Sequence, residues 1–85
     1  MTFHKIKNIT PLDDLFLLAE FQDGSFKKYD VKNLLNKIPA FEMLNYVPGL
    51  FKQVKVDIGG YGIVWNDELD LECDELYFNG ESIKK

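Results

Sequence analysis

Residues 61–80 read YGIVWNDELDLECDELYFNG, and this stretch contains the only tryptophan of the 85-residue chain. Ile63 and Trp65 lie two residues apart, which is the spacing of side chains on one face of a β-strand. Residues 69–71 alternate in the same way, and residues 72–78 have the pattern of a helix that is closed by a glycine. The stretch therefore predicts a strand that leads into a terminal helix, with Trp65 at the centre of the core.

The rest of the chain predicts two hairpins and a first strand. Asp23-Gly24 and Gly59-Gly60 supply the positive φ angles of tight hairpin turns, and Asp30 is placed to cap a short helix. The polar tail 81–85 is expected to fray. The predicted strands are 4–9 (an edge strand), 15–21, 26–29, 52–58 and 61–65, and the predicted helices are 31–37 (ended by Pro39), 41–45 and 72–78.

Together these elements predict one domain over residues 1–85 with an α+β fold. We expect a small, mostly antiparallel sheet of about five short strands, made of two hairpins plus the N-terminal strand. Two or three short helices should pack against it.

Length and composition limit the class of protein. A chain of 85 residues is the size of one domain, and no apolar run approaches the roughly 18 residues of a membrane span. The start MTFHKIKNIT lacks the apolar segment of a signal peptide, and the single cysteine, Cys73, excludes an internal disulfide. These features predict a soluble cytoplasmic protein without a membrane partner.

Charge argues against nucleic acid as a direct ligand. The formal net charge is −4, and the chain contains no arginine. It therefore cannot form the bidentate guanidinium contacts that are common in phosphate and guanine recognition. We predict no direct nucleic-acid binding, whereas the acidity weakly favours a basic protein partner.

A run of acidic residues is the main candidate site. A calcium loop requires a glycine at its sharp turn, and no glycine lies between Gly62 and Gly80, so no metal site is predicted. Two interpretations remain, a solvated face with a favourably charged helix start and a surface that binds a protein partner. The residues of the run are Asp67, Glu68, Asp70, Glu72, Asp74 and Glu75.

No catalytic residues are predicted. His4 is the only histidine and lies far in sequence from Cys73, and one residue of each kind cannot complete a zinc site. The carboxylates on either side of Cys73 should raise the pKa of its thiol and lower its reactivity. No hydroxyl residue lies in a nucleophile-elbow pattern. We therefore expect a non-enzymatic protein that uses no cofactor.

Several short motifs are spread over nearly the whole chain. They are Phe21-Gln-Asp-Gly24, Tyr29-Asp30-Val31, Leu34-Leu35, Phe51 before Val54-Lys-Val-Asp57, Gly62-Ile-Val-Trp65, Leu69-Asp-Leu71 and Leu76-Tyr77. Their order and spacing resemble the bacterial domain-of-unknown-function family 2442. Asn66 and Cys73 stand where that family commonly has proline, which is helpful at a first helical position but not required.

This resemblance implies a compact α+β domain, fused in some members to a helix-turn-helix domain. It also implies a neighbouring gene for a second small protein, which suggests a pair such as a toxin and its antitoxin. No catalytic residues are established for the family, so none is assigned here by resemblance.

Three hypotheses for function follow. The leading one is a non-enzymatic module that binds a protein partner through the acidic run or an exposed sheet edge, in an antitoxin-like or regulatory role. The alternative is a ligand-sensing domain with a pocket lined by aromatic residues such as Phe16, Tyr29, Phe51 and Tyr61. A third is a metal-dependent hydrolase or nuclease built on the acidic run. The edge strand 4–9 could also pair across a two-fold axis to form a homodimer.

Overall fold

The computed structural model describes residues 4–83. Its strands are β1 (Ile6–Pro11), β2 (Phe16–Phe21), β3 (Phe26–Asp30), β4 (Lys55–Val56), β5 (Gly62–Asn66), β6 (Leu69–Glu72) and β7 (Glu81–Ile83). Its helices are α1 (Lys32–Leu35), α2 (Met43–Tyr46) and α3 (Cys73–Asn79). Single 3₁₀ turns lie at Asp13–Leu15, Pro39–Glu42, Phe51–Gln53 and Ile58–Gly60.

The strands of residues 4–83 form two antiparallel sheets. The first has the order β1-β2-β3-β7, and the second has the order β4-β5-β6. The α+β class is confirmed, although seven strands in two sheets replace the single sheet of about five strands that the sequence predicted. The smaller sheet leads directly into α3, so the decisive stretch does form a strand pair followed by a helix.

The hairpin between β2 and β3 forms as predicted. The Asp23 carboxylate accepts hydrogen bonds from the Ser25 backbone N–H at 2.8 Å and from its hydroxyl at 2.6 Å. Gly24 has a φ of 89°, which a residue with a side chain rarely adopts. The side chain of Asp23 and the flexibility of Gly24 together reverse the chain, so Leu17 pairs with Tyr29 across the hairpin.

The second hairpin differs from its prediction. The expected strand 52–58 is reduced to Lys55–Val56, and the turn is longer than Gly59-Gly60 because the last ladder bond joins the Asp57 N–H to the Gly62 carbonyl. The Asp57 carboxylate accepts from the Ile58 N–H at 2.8 Å, which turns the chain out of the strand. Ile58, the last residue of the predicted strand, is consequently 92% exposed.

Both ends of the first sheet also differ from the prediction. β1 begins and ends two residues later than the predicted strand 4–9, and it includes Pro11. Proline is tolerated there because β1 is an edge strand, as predicted, and needs no N–H at that position. The tail does not fray over residues 81–83, because they pair with β3 as β7. Backbone groups on the outer edge of β3 thereby gain partners. The remainder of the predicted frayed tail, Lys84 and Lys85, lies outside the described residues.

The helices between the sheets are short. The Asp30 carboxylate accepts from the Lys32 N–H at 2.9 Å, but the N-cap of α1 is Val31 and not Asp30. α1 has only four residues where seven were expected. Pro39 opens a 3₁₀ turn, in which its missing N–H is not needed. The helix predicted over 41–45 is observed as this turn followed by α2.

Trp65 lies in the core, as predicted. Its side chain is 4% exposed, and its indole N–H donates to the Phe51 carbonyl at 3.1 Å. The Phe41 ring meets the indole edge-on, with ring centroids 5.8 Å apart. β5 thus anchors the segment that links the two sheets. The buried core consists of Ile6, Leu17, Ala19, Phe21, Tyr29, Val31, Leu34, Phe41, Leu44, Leu50, Phe51, Val54, Ile63, Trp65, Leu69, Cys73 and Leu76.

Candidate functional site

The predicted acidic run begins in the turn between β5 and β6. The Asn66 side-chain oxygen accepts from the backbone N–H groups of Glu68 and Leu69, each at 2.9 Å. These side-chain hydrogen bonds stabilise the reversal of the chain at this turn. It leaves Asp67 and Glu68 at the tip of the turn, where both side chains are exposed.

The next two carboxylates lie on β6. Asp70 pairs with Val64 and Glu72 pairs with Gly62 on β5, so the two acids are on the same face of the smaller sheet. Both are exposed. Leu69 and Leu71 alternate with them, and Leu69 is 1% exposed. The alternation that the sequence contains therefore separates an acidic outer face from an apolar inner one.

The last two acids belong to the first turn of α3. Asp74 and Glu75 are half-buried. The Glu75 carboxylate accepts from the Tyr29 hydroxyl at 2.8 Å, and burial, followed by this hydrogen bond, holds the pKa of Tyr29 well above its usual range. Glu75 thus has a structural partner that the sequence did not reveal, since Tyr29 is distant along the chain.

We call these six residues the acidic face. The ion pairs formed within residues 4–83 are Lys7–Glu20 at 3.8 Å, Lys32–Asp14 at 3.2 Å and Lys32–Asp30 at 3.5 Å. All of them lie elsewhere, and none includes a residue of the acidic face. Across the described part of the chain, no group of three or more His, Cys, Asp and Glu residues is arranged to hold a metal ion.

Cys73 lies at the junction of β6 and α3, and its side chain is 2% exposed. Burial, and after it the Asp74 carboxylate, raises the pKa of the Cys73 thiol. The direction agrees with the prediction from its acidic neighbours, but the larger cause is burial. A thiol of this kind is a poor nucleophile at neutral pH.

We expect native Cys73 to react slowly with a disulfide reagent such as Ellman's reagent. The reaction requires local opening of the junction and formation of the thiolate, so its rate should be at least about 100-fold below that of the urea-unfolded protein. Absorbance of the released thionitrobenzoate measures both rates. Equal rates would contradict the burial of this thiol.

His4 belongs to a different cluster. Its ring stacks on Tyr77 with centroids 3.7 Å apart and planes 6° from parallel, and it meets Phe78 edge-on at 5.3 Å. The Tyr77 hydroxyl donates to the Asp23 carboxylate at 3.5 Å, while the Ser25 hydrogen bonds hold the pKa of Asp23 below its usual range. The described ring contacts of His4 are therefore with α3 residues other than Cys73.

The alternative hypothesis predicted a pocket lined by aromatic residues. Phe16, Tyr29, Phe51 and Tyr61 each line a different cleft. Tyr61 lines a cleft of about 420 Å³ with Glu72, Cys73 and Asp74, beside the acidic face. Tyr29 and Phe51 are also core residues.

The geometry defines a class of protein, a small α+β domain built from two antiparallel sheets. The family model for protein of unknown function (DUF2442) matches residues 6–82, and the chain belongs to this family. The resemblance inferred from the short motifs is therefore confirmed. No match was found among curated proteins or among solved structures. No helix within residues 4–83 is long and apolar enough to cross a bilayer.

Proposed function

We propose that this protein is a non-enzymatic interaction module that binds a basic protein partner through the acidic face. One observation carries the proposal. Six carboxylates lie close together in sequence, and the ion pairs among residues 4–83 compensate none of them. A lysine-rich or arginine-rich surface would supply the missing charge.

The exposed part of the face suits a steered encounter. Asp67, Glu68, Asp70 and Glu72 are exposed, so they are hydrated and contribute little to stability, but their summed field attracts a basic protein. Such attraction acts mainly on the association rate and weakens as salt screens it. We therefore expect the complex to form quickly at low salt and more slowly at high salt.

The proposal extends to the biological setting that the family resemblance implies. The module would act in the bacterial cytoplasm, in an antitoxin-like or regulatory role, with a partner encoded by a neighbouring gene. A buried free thiol at Cys73 is compatible with a reducing compartment. The acidity and the absence of arginine from the sequence support a protein partner over a nucleic acid.

Charge reversal tests the proposal. The neighbouring gene product is co-expressed with the wild-type chain, with Asp70→Lys/Glu72→Lys, and with the control Asp13→Lys/Glu42→Lys. Both doubles change the net charge equally, and all four positions are exposed. We expect the wild type and the control to bind the partner, and the acidic-face double to bind at least about tenfold more weakly, as measured by calorimetry.

Two results would contradict the proposal. Recovery of no complex between the wild-type chain and the gene product at micromolar concentration would remove its basis. Equal weakening by both doubles would show that net charge matters and that the acidic face does not.

A further inference from the structure

The outer edge of β6 carries backbone groups that point away from the sheet. β6 is the last strand in the order β4-β5-β6. The Cys73 N–H donates to the Tyr61 carbonyl at 2.8 Å, and the register continues with Leu71 opposite Ile63. Because antiparallel strands alternate bonded and non-bonded pairs, Cys73 and Leu71 direct their backbone groups toward β5. Asp70 and Glu72 direct theirs outward.

This free edge is short and defined at both ends. At one end, the Asn66 side chain already accepts from the Glu68 and Leu69 N–H groups. At the other end, Glu72 is the N-cap of α3, so its carbonyl turns into the first helical bond. The groups left to a partner are the N–H and carbonyl of Asp70 and the N–H of Glu72.

We propose that the partner binds as an extended segment that adds a strand to β6, with a basic–apolar–basic pattern. The inference rests on the proposed function and specifies its geometry. Residues of an added strand that lie opposite Asp70 and Glu72 share their face of the sheet, where each opposite-charge pair is favourable. The residue between them lies beside half-buried Leu71, where an apolar side chain fits.

Charge distinguishes β6 from the edge at β1. The β1 edge contains Lys7 and ends at Pro11, and lysine and proline are residues that discourage the addition of another strand. β6 instead presents two exposed carboxylates that alternate with leucines. An extended basic segment therefore complements β6 in both backbone geometry and charge.

A hexapeptide of alternating lysine and valine, acetylated and amidated, is the probe. Two further versions carry N-methyl groups on the three lysines or on the three valines, so that they have equal charge and composition. A strand added to β6 bonds through only one alternate set of N–H groups. Titration into ¹⁵N-labelled protein should show one methylated version at least about tenfold weaker than the parent and the other within about twofold.

The amide signals of Asp70, Leu71 and Glu72 should shift most. The identity of the methylated peptide that binds weakly also shows whether the added strand runs parallel or antiparallel to β6. Equal binding of all three peptides would overturn strand addition, as would the absence of shifts at millimolar peptide. Titration of the parent peptide into the Asp70→Lys/Glu72→Lys variant separates the two proposals. Unaltered binding of the peptide to this variant would overturn the acidic-face function itself. Loss of binding by that variant, with equal binding of all three peptides to the wild type, would overturn the added strand alone.

Discussion

Trp65→Ala should lower the free energy of unfolding by about 3–5 kcal/mol, the usual cost of removing a buried large aromatic side chain. Trp65 is 4% exposed and packs with the Phe41 and Phe51 rings. The truncation would leave a cavity and would remove the hydrogen bond from the indole N–H to the Phe51 carbonyl, which is 3.1 Å long. The total free energy of unfolding of a domain is roughly 5–15 kcal/mol, so the variant should be only marginally folded.

Urea unfolding followed by circular dichroism measures this loss without requiring the tryptophan signal. Trp65→Phe is the informative control, because it retains most of the ring volume and removes the hydrogen bond. It should cost about 1–3 kcal/mol. Tyr46→Ala, at a side chain that is 72% exposed, should change stability by less than about 0.5 kcal/mol. A loss of under about 1 kcal/mol for Trp65→Ala would mean that the core is not organised around this residue.

Gly60→Ala is expected to cost about 2–5 kcal/mol, from two separate causes. The φ of Gly60 is 80°, and a side chain in this left-handed region costs about 1–2 kcal/mol. In addition, a Cβ at this position would lie 2.6 Å from the Ile6 carbonyl oxygen and 3.2 Å from the Ile6 nitrogen. Both atoms belong to backbone, so the β4–β5 turn would have to move away from β1, at about 1–3 kcal/mol more.

Gly49 separates the two causes. It has the same φ of 80°, but a Cβ there would meet nothing within 4 Å. Gly49→Ala should therefore show the conformational cost alone, about 1–2 kcal/mol. The difference between the two variants in urea unfolding measures the contact between the turn and β1. Equal losses would mean that the turn does not pack on β1 as closely as observed.

Local sequence patterns predicted those parts of the fold that depend on neighbours along the chain. The turn at Asp23-Gly24 is closed by the side chain and the backbone freedom of those same residues. The helix over 72–78 is observed at Cys73–Asn79, since its apolar spacing and acidic first turn lie within one short segment. Alternation on 61–65 likewise placed Ile63 and Trp65 in the core.

Predictions that depended on distant partners were less successful. The tail 81–83 becomes a strand only because the outer edge of β3 needs hydrogen-bond partners. Strand 52–58 is interrupted because Asp57 caps the next residue and Gly60 packs on β1. The six residues of the acidic run were identified from sequence, but Glu75 was not distinguished from the rest because its partner, Tyr29, is on another strand.

The sequence by itself determined the α+β class, the turn at Asp23-Gly24, the family and the acidity of residues 67–75, because each depends on residue type and short-range spacing. Only the tertiary structure decided that the strands divide into two sheets, that four aromatic residues line separate clefts, and that β6 is an outer strand of the smaller sheet. The physical reason is that strand pairing and burial depend on which backbone and apolar surfaces meet, and those partners are separated along the chain.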